Sequence, residues 1–233
     1  MLTVHGNAWD HSHAFDDIGQ CRQLRDVWER MRKESRELRR VWKANDMRAL
    51  HDRPPKNSFR HFRCVRPIPK RLKNTLALLQ SHGLLSGLRY PAPDQVCYEQ
   101  HGQDIIKLIA GGWLERWLGA VLADAGIAWR GARVSAKVLE KGGGSQEFDF
   151  LGAHRNHLVY WSCKTDAKLT NDKLFEVDAL RDGIAGSDFH IAGLLHAAPV
   201  MPTMRAKARR MNLHMVCALE DDAAAQVIRI SGG

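Results

Sequence analysis

Hydrophobic residues recur with a helical period in the first part of the chain. Between residues 22 and 43 they stand three and four positions apart, with arginine, lysine and glutamate between them: Leu24, Val27, Trp28, Met31, Leu38, Val41 and Trp42. This spacing predicts an amphipathic helix. Its two tryptophans favour packing against the rest of the protein, or against a partner chain, over stacking on nucleotides. Four prolines between residues 53 and 69 then predict a linker or irregular loop.

A second helix is expected from Lys70 to Ser81, where leucines follow the helical period and Gly83 supplies a stop. A turn-rich segment at 90–94 and a short strand at 95–98 come next. We interpret residues 70–110 as a small helix-hairpin unit that is similar to the end of a winged-helix domain.

From Gly111 onward, helix and strand patterns alternate regularly. A helix opens at Gly111 and stops at Gly126, and three strands joined by short turns follow it. The expected strands span 132–139, 146–151, 157–164, 189–195 and 213–219, and the later helices span 172–184 and 202–212. The order α-β-β-β-α-β-α-β predicts an α/β fold with a mixed central sheet. We divide the chain into a basic helical N-terminal region at 1–69, the unit at 70–110 and an α/β domain at 111–233.

The positive charge of the chain is concentrated at its start. Residues 1–73 hold 18 Lys+Arg against 9 Asp+Glu, whereas residues 74–233 hold 17 of each. A concentrated basic segment attracts polyanions, and nucleic acid is the commonest such partner. The alternative is a solvated basic helix without a ligand. The candidate nucleic-acid contacts are Arg36, Arg39, Arg40, Lys43, Lys70, Arg71 and Lys73.

Composition excludes several other classes. No apolar stretch approaches the ~20 residues that a membrane helix needs, and the first residues lack the basic-then-apolar order of a signal peptide. We therefore expect a soluble cytoplasmic protein without a membrane partner. The five cysteines are scattered and contain no CxxC pair, which argues against a disulfide framework and a structural zinc site.

Acidic and basic residues meet on two neighbouring strands of the predicted sheet. Side chains alternate along a strand with period two, so Glu147 and Asp149 are expected on one face and Ser162 and Lys164 on one face of the next strand. Carboxylate oxygens suit hard divalent cations, and a lysine offsets the charge of a phosphate. This pairing is typical of a metal-dependent nuclease, although an acid and a lysine at such a distance also occur by chance.

The sequence around these residues is more specific than the acid and lysine alone. Four segments resemble the nuclease domain of the CRISPR-associated CARF nucleases, the ancillary effectors of type III systems, whose fold is that of the PD-(D/E)xK restriction endonucleases. The segments are 111–115, 147–150, 162–165 and 173–182. The resemblance covers residues ~70 to 219.

The resemblance implies a phosphodiesterase that depends on Mg²⁺ or Mn²⁺ and acts in antiviral defence. It would nick DNA or degrade single-stranded DNA or RNA, commonly as a homodimer switched on by cyclic oligoadenylate. Asp149 would be the central metal ligand, and Glu115 would bind the metal directly or through water. The carbonyl of Cys163 would be a backbone ligand. Lys164 would orient the attacking water and offset the charge of the phosphate.

Two departures from that family leave alternatives open. Ser162 stands where the family has glutamate, so either Glu147 supplies the missing carboxylate, or the site is impaired and the domain serves as a nucleic-acid-binding or adaptor subunit of a CRISPR ribonucleoprotein. Residues 1–69 show no strand-rich nucleotide sensor. Either a sensor lies on another polypeptide, or the basic N-terminal region controls the protein or docks it onto a larger ribonucleoprotein, and we favour delivery by a partner. A winged-helix transcription regulator would leave Asp149 and Lys164 without a role.

Overall fold

The computed structural model describes residues 18–45, 48–49, 60–63, 67–100, 108–139, 145–166, 168–185 and 190–232. Its helices are α1 (Ile18–Gln23), α2 (Arg25–Asn45), α3 (Lys70–Ser81), α4 (Trp113–Asp124), α5 (Asn171–Ala185), α6 (Pro202–Arg210) and α7 (Ala223–Gly232). Its strands are β1 (Arg48–Ala49), β2 (Arg60–Arg63), β3 (Leu85–Arg89), β4 (Gln95–Gln100), β5 (Arg130–Leu139), β6 (Ser145–His154), β7 (His157–Lys164), β8 (His190–His196) and β9 (His214–Cys217).

The strands form two sheets. The smaller sheet has the order β1-β2-β4-β3, with antiparallel pairs throughout. The larger sheet has the order β5-β6-β7-β8-β9, in which β5, β6 and β7 pair antiparallel and β7, β8 and β9 pair parallel. Helices on its faces make the protein a mixed α/β structure, and this class is confirmed.

Helix α4 lies at the centre of the larger of two hydrophobic cores. Glycines precede it, and its apolar residues are buried on nearly every side because α1, α2, α7 and β5 all contact it. Trp28 of α2 is fully buried in this first core, as the sequence predicted. Gly119 allows the approach of β5, since a Cβ there would lie 2.8 Å from Val134 Cγ2.

The second core lies on the opposite face of the larger sheet, under α5 and α6. The strand β7 shows the division clearly, because Val159 and Trp161 belong to the first core and Tyr160 belongs to the second. The Tyr160 hydroxyl also donates a hydrogen bond to the carbonyl of Val177, which fixes α5 on this face. Both faces of β7 are therefore buried over most of its length.

The smaller sheet corrects one expectation. The segment 53–69 was predicted as irregular, but its residues Arg60–Arg63 form β2 and pair with β4. The prolines stand before and after this short strand and so leave its pairing intact. The helix-hairpin order expected at 70–110 is present as α3, β3 and β4. No helix in the described parts of the chain has the length and apolar character needed to span a bilayer.

Candidate active site

A cleft with about 230 Å³ of water-accessible space opens beside one end of β6 and β7. The pairing of these strands begins with His154 opposite His157 and ends with Phe150 opposite Trp161. The residues that line the cleft come from this end of the two strands and from α5: Glu147, Phe148, Asp149, Tyr160, Trp161, Ser162, Lys164, Glu176 and Leu180. The structure thus brings together four of the residues that the sequence selected.

The carboxylate of Asp149 joins β6 to β7 where their regular pairing ends. Its Oδ2 accepts a hydrogen bond of 2.5 Å from the backbone N–H of Cys163 and one of 3.2 Å from the Ser162 hydroxyl. Burial raises the pKa of Asp149 above its ordinary value, although these bonds and the charge of Lys164 act in the opposite direction. Asp149 is therefore held firmly at a position where its ionisation is costly.

Asp149 reaches this position because the alternation of side chains breaks there. On β5, Val134 packs in the first core and Ala136 against the second, and on β6 Phe150 and Phe148 are divided in the same way. Residues two apart on a strand should have side chains on the same face of the sheet. The alternation is therefore broken between Val134 and Ala136 on β5 and between Phe148 and Phe150 on β6. The break on β5 coincides with Ser135, which has a left-handed φ of 51°. Such a backbone in a serine costs on the order of 1–2 kcal/mol.

Ser135 connects this irregular backbone to Glu115. The Ser135 hydroxyl donates a hydrogen bond of 2.5 Å to Glu115 Oε2, and the Arg116 guanidinium lies 3.2 Å from the same oxygen. Burial and then the negative charge of Asp149 raise the pKa of Glu115 to about 7, while Arg116 and Ser135 oppose the rise. The charges of Glu115 and Asp149 therefore influence each other.

A π-helical turn at Leu108–Gly112 positions the start of α4 against the end of β7. The Thr165 hydroxyl donates to the carbonyl of Ala110 at 3.2 Å, and a Cβ on Gly111 would lie 3.0 Å from the Thr165 oxygen. Since Thr165 follows Lys164 directly, this contact ties α4 to the strand that carries the lysine. Turns of this kind are frequent at functional sites.

The side chain of Cys163 faces the first core, next to both carboxylates. Burial raises the pKa of its thiol well above the usual range, and the charges of Asp149 and Glu115 add to the rise. The thiol therefore stays protonated and is a poor nucleophile. What Cys163 contributes directly is its backbone N–H to Asp149.

Glu176 is a site residue that the sequence analysis did not select. Its Oε1 lies 3.0 Å from Lys164 Nζ, and its Oε2 lies 3.0 Å from Lys173 Nζ. Partial burial acts to raise the pKa of Glu176, but hydrogen bonds from Lys173 and Lys164 outweigh it and lower the pKa. Its spacing of four from Leu180, which also lines the cleft, is the helical signal that could have identified this face of α5.

The donor set suits a hard divalent cation. Asp149, Glu147 and Glu176 offer carboxylate oxygens around one cleft, and Mg²⁺ is commonly held by one or two carboxylates together with water and substrate phosphate. Within the described residues, no three His, Cys, Asp or Glu side chains are grouped closely enough to hold a metal by themselves. Two protein carboxylates with water would meet the need of Mg²⁺ or Mn²⁺.

The predicted nucleic-acid contacts fall on two helices. Arg36, Arg39, Arg40 and Lys43 belong to α2, and their side chains lie outside the described residues. Lys70 and Arg71 are exposed in the first turn of α3. Lys73 places its Nζ 4.9 Å from the centre of the Tyr90 ring.

Comparison with known proteins supports the fold. No protein-family model matches the chain, and no curated protein matches it in sequence. Protein VC1899 from Vibrio cholerae has a similar structure, with a TM-score of 0.63 and 16% identity over 91% of this chain and 55% of that one. Can2 from Sulfobacillus thermosulfidooxidans, solved in complex with cyclic tetra-adenylate, has a TM-score of 0.58 and 14% identity over 92% of this chain and 59% of that one. The chain spans little more than half the length of either protein, and at these identities the likeness shows the fold alone.

Proposed function

We propose that the protein is a metal-dependent nuclease of the PD-(D/E)xK type that hydrolyses phosphodiester bonds in CRISPR-linked antiviral defence. The observation that carries the proposal is one cleft at which Asp149 and Lys164 meet on neighbouring strands, with Glu115 beside Asp149. The likeness in fold to Can2 supports the CRISPR link, since its ligand is a cyclic oligoadenylate, the class of activator that the sequence resemblance implies.

The charged residues at the cleft and next to it have chemical roles in this proposal. A bound Mg²⁺ or Mn²⁺ ion would supply Lewis acidity toward the phosphate and a water of lowered pKa. Asp149, held by the Cys163 N–H, and Glu115 are the carboxylates that would hold the ion, with Glu147 and the Cys163 carbonyl as further oxygen donors. Lys164 places a positive charge in the cleft, where it meets the charge of the scissile phosphate. Glu115, with a pKa of about 7, can change protonation near neutral pH.

The basic residues would bring nucleic acid to the cleft. The exposed Lys70 and Arg71 offer phosphate contacts at the start of α3, and the sequence of α2 adds Arg36, Arg39, Arg40 and Lys43 as candidates. We propose DNA or RNA as the partner of this region. A separate sensor protein or a CRISPR effector complex would then supply the activating signal.

A cleavage assay tests the proposal. The purified protein is incubated with supercoiled plasmid, single-stranded DNA and RNA in Mg²⁺, in Mn²⁺ and in EDTA. We expect metal-dependent cleavage that is lost in Asp149→Asn and Lys164→Ala and kept in Asp221→Asn, an exposed position outside the cleft. Asparagine preserves the hydrogen bonds at position 149, so loss of cleavage there reports the missing charge. Cleavage that persists in both cleft variants, or that EDTA leaves unchanged, would contradict the proposal.

One observation favours a second candidate, a catalytically impaired nuclease fold that binds nucleic acid as an adaptor. Ser162 is neutral and buried, and it donates to Asp149 where the family supplies a second acid. In this case wild type, Asp149→Asn and Lys164→Ala would all fail to cleave, yet they would bind labelled DNA or RNA alike in fluorescence anisotropy.

A further inference from the structure

The cleft lacks an acid at the position where its sequence motif predicts one. Ser162 has a relative exposure of 6%, and its hydroxyl lies 3.2 Å from Asp149 Oδ2. It therefore supports Asp149 but brings no charge of its own. The neighbouring Lys164 is largely buried, with 16% of its side chain exposed, so its positive charge needs a nearby carboxylate.

Glu176 provides that carboxylate from another element of the fold. Helix α5 packs over the face of β7 that carries Ser162 and Lys164, and the contact between Tyr160 and Val177 fixes the helix next to Glu176. The ion pair of 3.0 Å between Glu176 and Lys164 lies at the wall of the cleft. The side chain of Glu176 remains 44% exposed, so it can reorient toward the cleft without unpacking α5.

Glu147 is the competing candidate for the second acid. It is exposed and lines the same cleft, and its negative charge adds to the raised pKa values of Asp149 and Glu115. The ion pair that the structure describes for Lys164, however, is with Glu176. An acid at position 162 would have contacted Lys164. Glu176 makes that contact instead.

We propose that Glu176 replaces the acid missing at position 162 and is the second carboxylate of the cleft alongside Asp149. In the free protein it holds the amine of Lys164 at the cleft wall. When a divalent cation is present, Glu176 joins Asp149 as a carboxylate ligand from the cleft wall, in keeping with the one or two carboxylates that commonly hold Mg²⁺. This inference rests on the proposed nuclease function.

Direct metal binding tests the assignment separately from catalysis. Mn²⁺ is titrated into the full chain and free Mn²⁺ is followed by electron paramagnetic resonance, for wild type, Glu176→Gln, Glu147→Gln and Asp172→Asn. We expect Glu176→Gln to weaken Mn²⁺ binding about tenfold or more and to reduce plasmid cleavage at least as much. Asp172→Asn removes one negative charge from an exposed position on the same helix, and it should leave Mn²⁺ binding and plasmid cleavage unchanged.

A rescue experiment tests the replacement itself. Adding Ser162→Glu to Glu176→Gln restores an acid at the motif position, and we expect Mn²⁺ affinity to return to within a fewfold of wild type. Ser162 is buried, so circular dichroism must first show that the double variant folds. If it does not fold, Glu176→Asp provides the test, because it keeps the charge and should bind Mn²⁺ more tightly than Glu176→Gln.

The outcomes separate this assignment from the nuclease proposal. Mn²⁺ binding that depends on Glu176, in a protein that cleaves no substrate, supports the assignment and refutes the nuclease. Wild-type affinity in Glu176→Gln with loss in Glu147→Gln overturns the assignment in favour of Glu147. Failure of a folded double variant to regain Mn²⁺ binding, or equal binding by Glu176→Asp and Glu176→Gln, also overturns it.

Discussion

Replacing Glu115 with glutamine should stabilise the metal-free protein, and more strongly as the pH rises. Burial and the charge of Asp149 raise the pKa of Glu115 from 4.5 to about 7. A tenfold change in proton affinity corresponds to about 1.4 kcal/mol, so ionising this side chain costs the folded protein about 3 kcal/mol. Because the folded state binds the proton more tightly, stability falls as the pH rises from about 4.5 to 7. Glutamine has no proton to lose and avoids this cost.

Urea denaturation in EDTA at pH 5, 6, 7 and 8 measures the effect. We expect Glu115→Gln to have nearly the free energy of unfolding of wild type at pH 5 and to exceed it by about 3 kcal/mol at pH 8. Asp221→Asn, at an exposed position, is the control and should follow wild type throughout. A difference that does not grow between pH 5 and 8, or a variant less stable than wild type at pH 8, would refute the reasoning.

Three further predictions concern stability, two of them at Trp161, which lines the cleft, and one at Glu29 of α2. In Gly193→Ala, the new Cβ would lie 2.3 Å from Trp161 Cε3, so the free energy of unfolding should fall by about 1–3 kcal/mol or more in urea; an unchanged value would show that β8 can move aside. Ser231→Ala removes the acceptor 3.0 Å from the buried Trp161 indole N–H and should cost about 1–3 kcal/mol, whereas Ser231→Thr keeps the hydroxyl and should cost less. For Glu29, partial burial acts to raise the pKa of the carboxyl group, but hydrogen bonds from Arg32 and from the Trp117 indole of α4 lower this pKa overall. Glu29→Gln should therefore destabilise the protein above pH 4.5, and the loss should fade as the pH falls below that value; a constant loss would contradict the ion pair as its cause.

The regular elements were predictable because each carries its own local signal. Helix α3 begins and ends where the sequence placed it, since its leucines follow the helical period and Gly83 adopts the left-handed backbone that stops a helix. Strand β7 also has the predicted bounds, because its run of large apolar residues is buried on both faces. Helix α7 was missed, although its buried residues Ala223, Val227 and Ser231 stand four apart. Two of the three are small or polar, so a search for hydrophobic residues does not detect their period.

The candidate site was predictable only in part, for a physical reason. Asp149 and Lys164 lie on adjacent strands whose turn is short, so local sequence is enough to bring them together. Glu176 comes from a helix that packs over the strand, and its contact with Lys164 depends on the tertiary placement of α5. Ser135 carries no signal at all, because serine at a left-handed position in a strand has no local preference that would reveal it.

The break in the sheet at Ser135 and Asp149 explains why the acids of this site gather at one point. In a regular strand Asp149 would stand on one face and its carboxylate would be directed away from the neighbouring backbone. With the alternation broken, the carboxylate accepts the N–H of Cys163, and Ser135 on the opposing strand donates to Glu115. One irregularity thereby orients an acid on β6 and an acid on α4, which raises the pKa of both through burial and brings their charges together. Such an arrangement disfavours the metal-free ionised state, and a divalent cation is the charge that would relieve it. The raised pKa values of Glu115 and Asp149 therefore lead to the expectation of a site whose acids are stabilised by a bound cation.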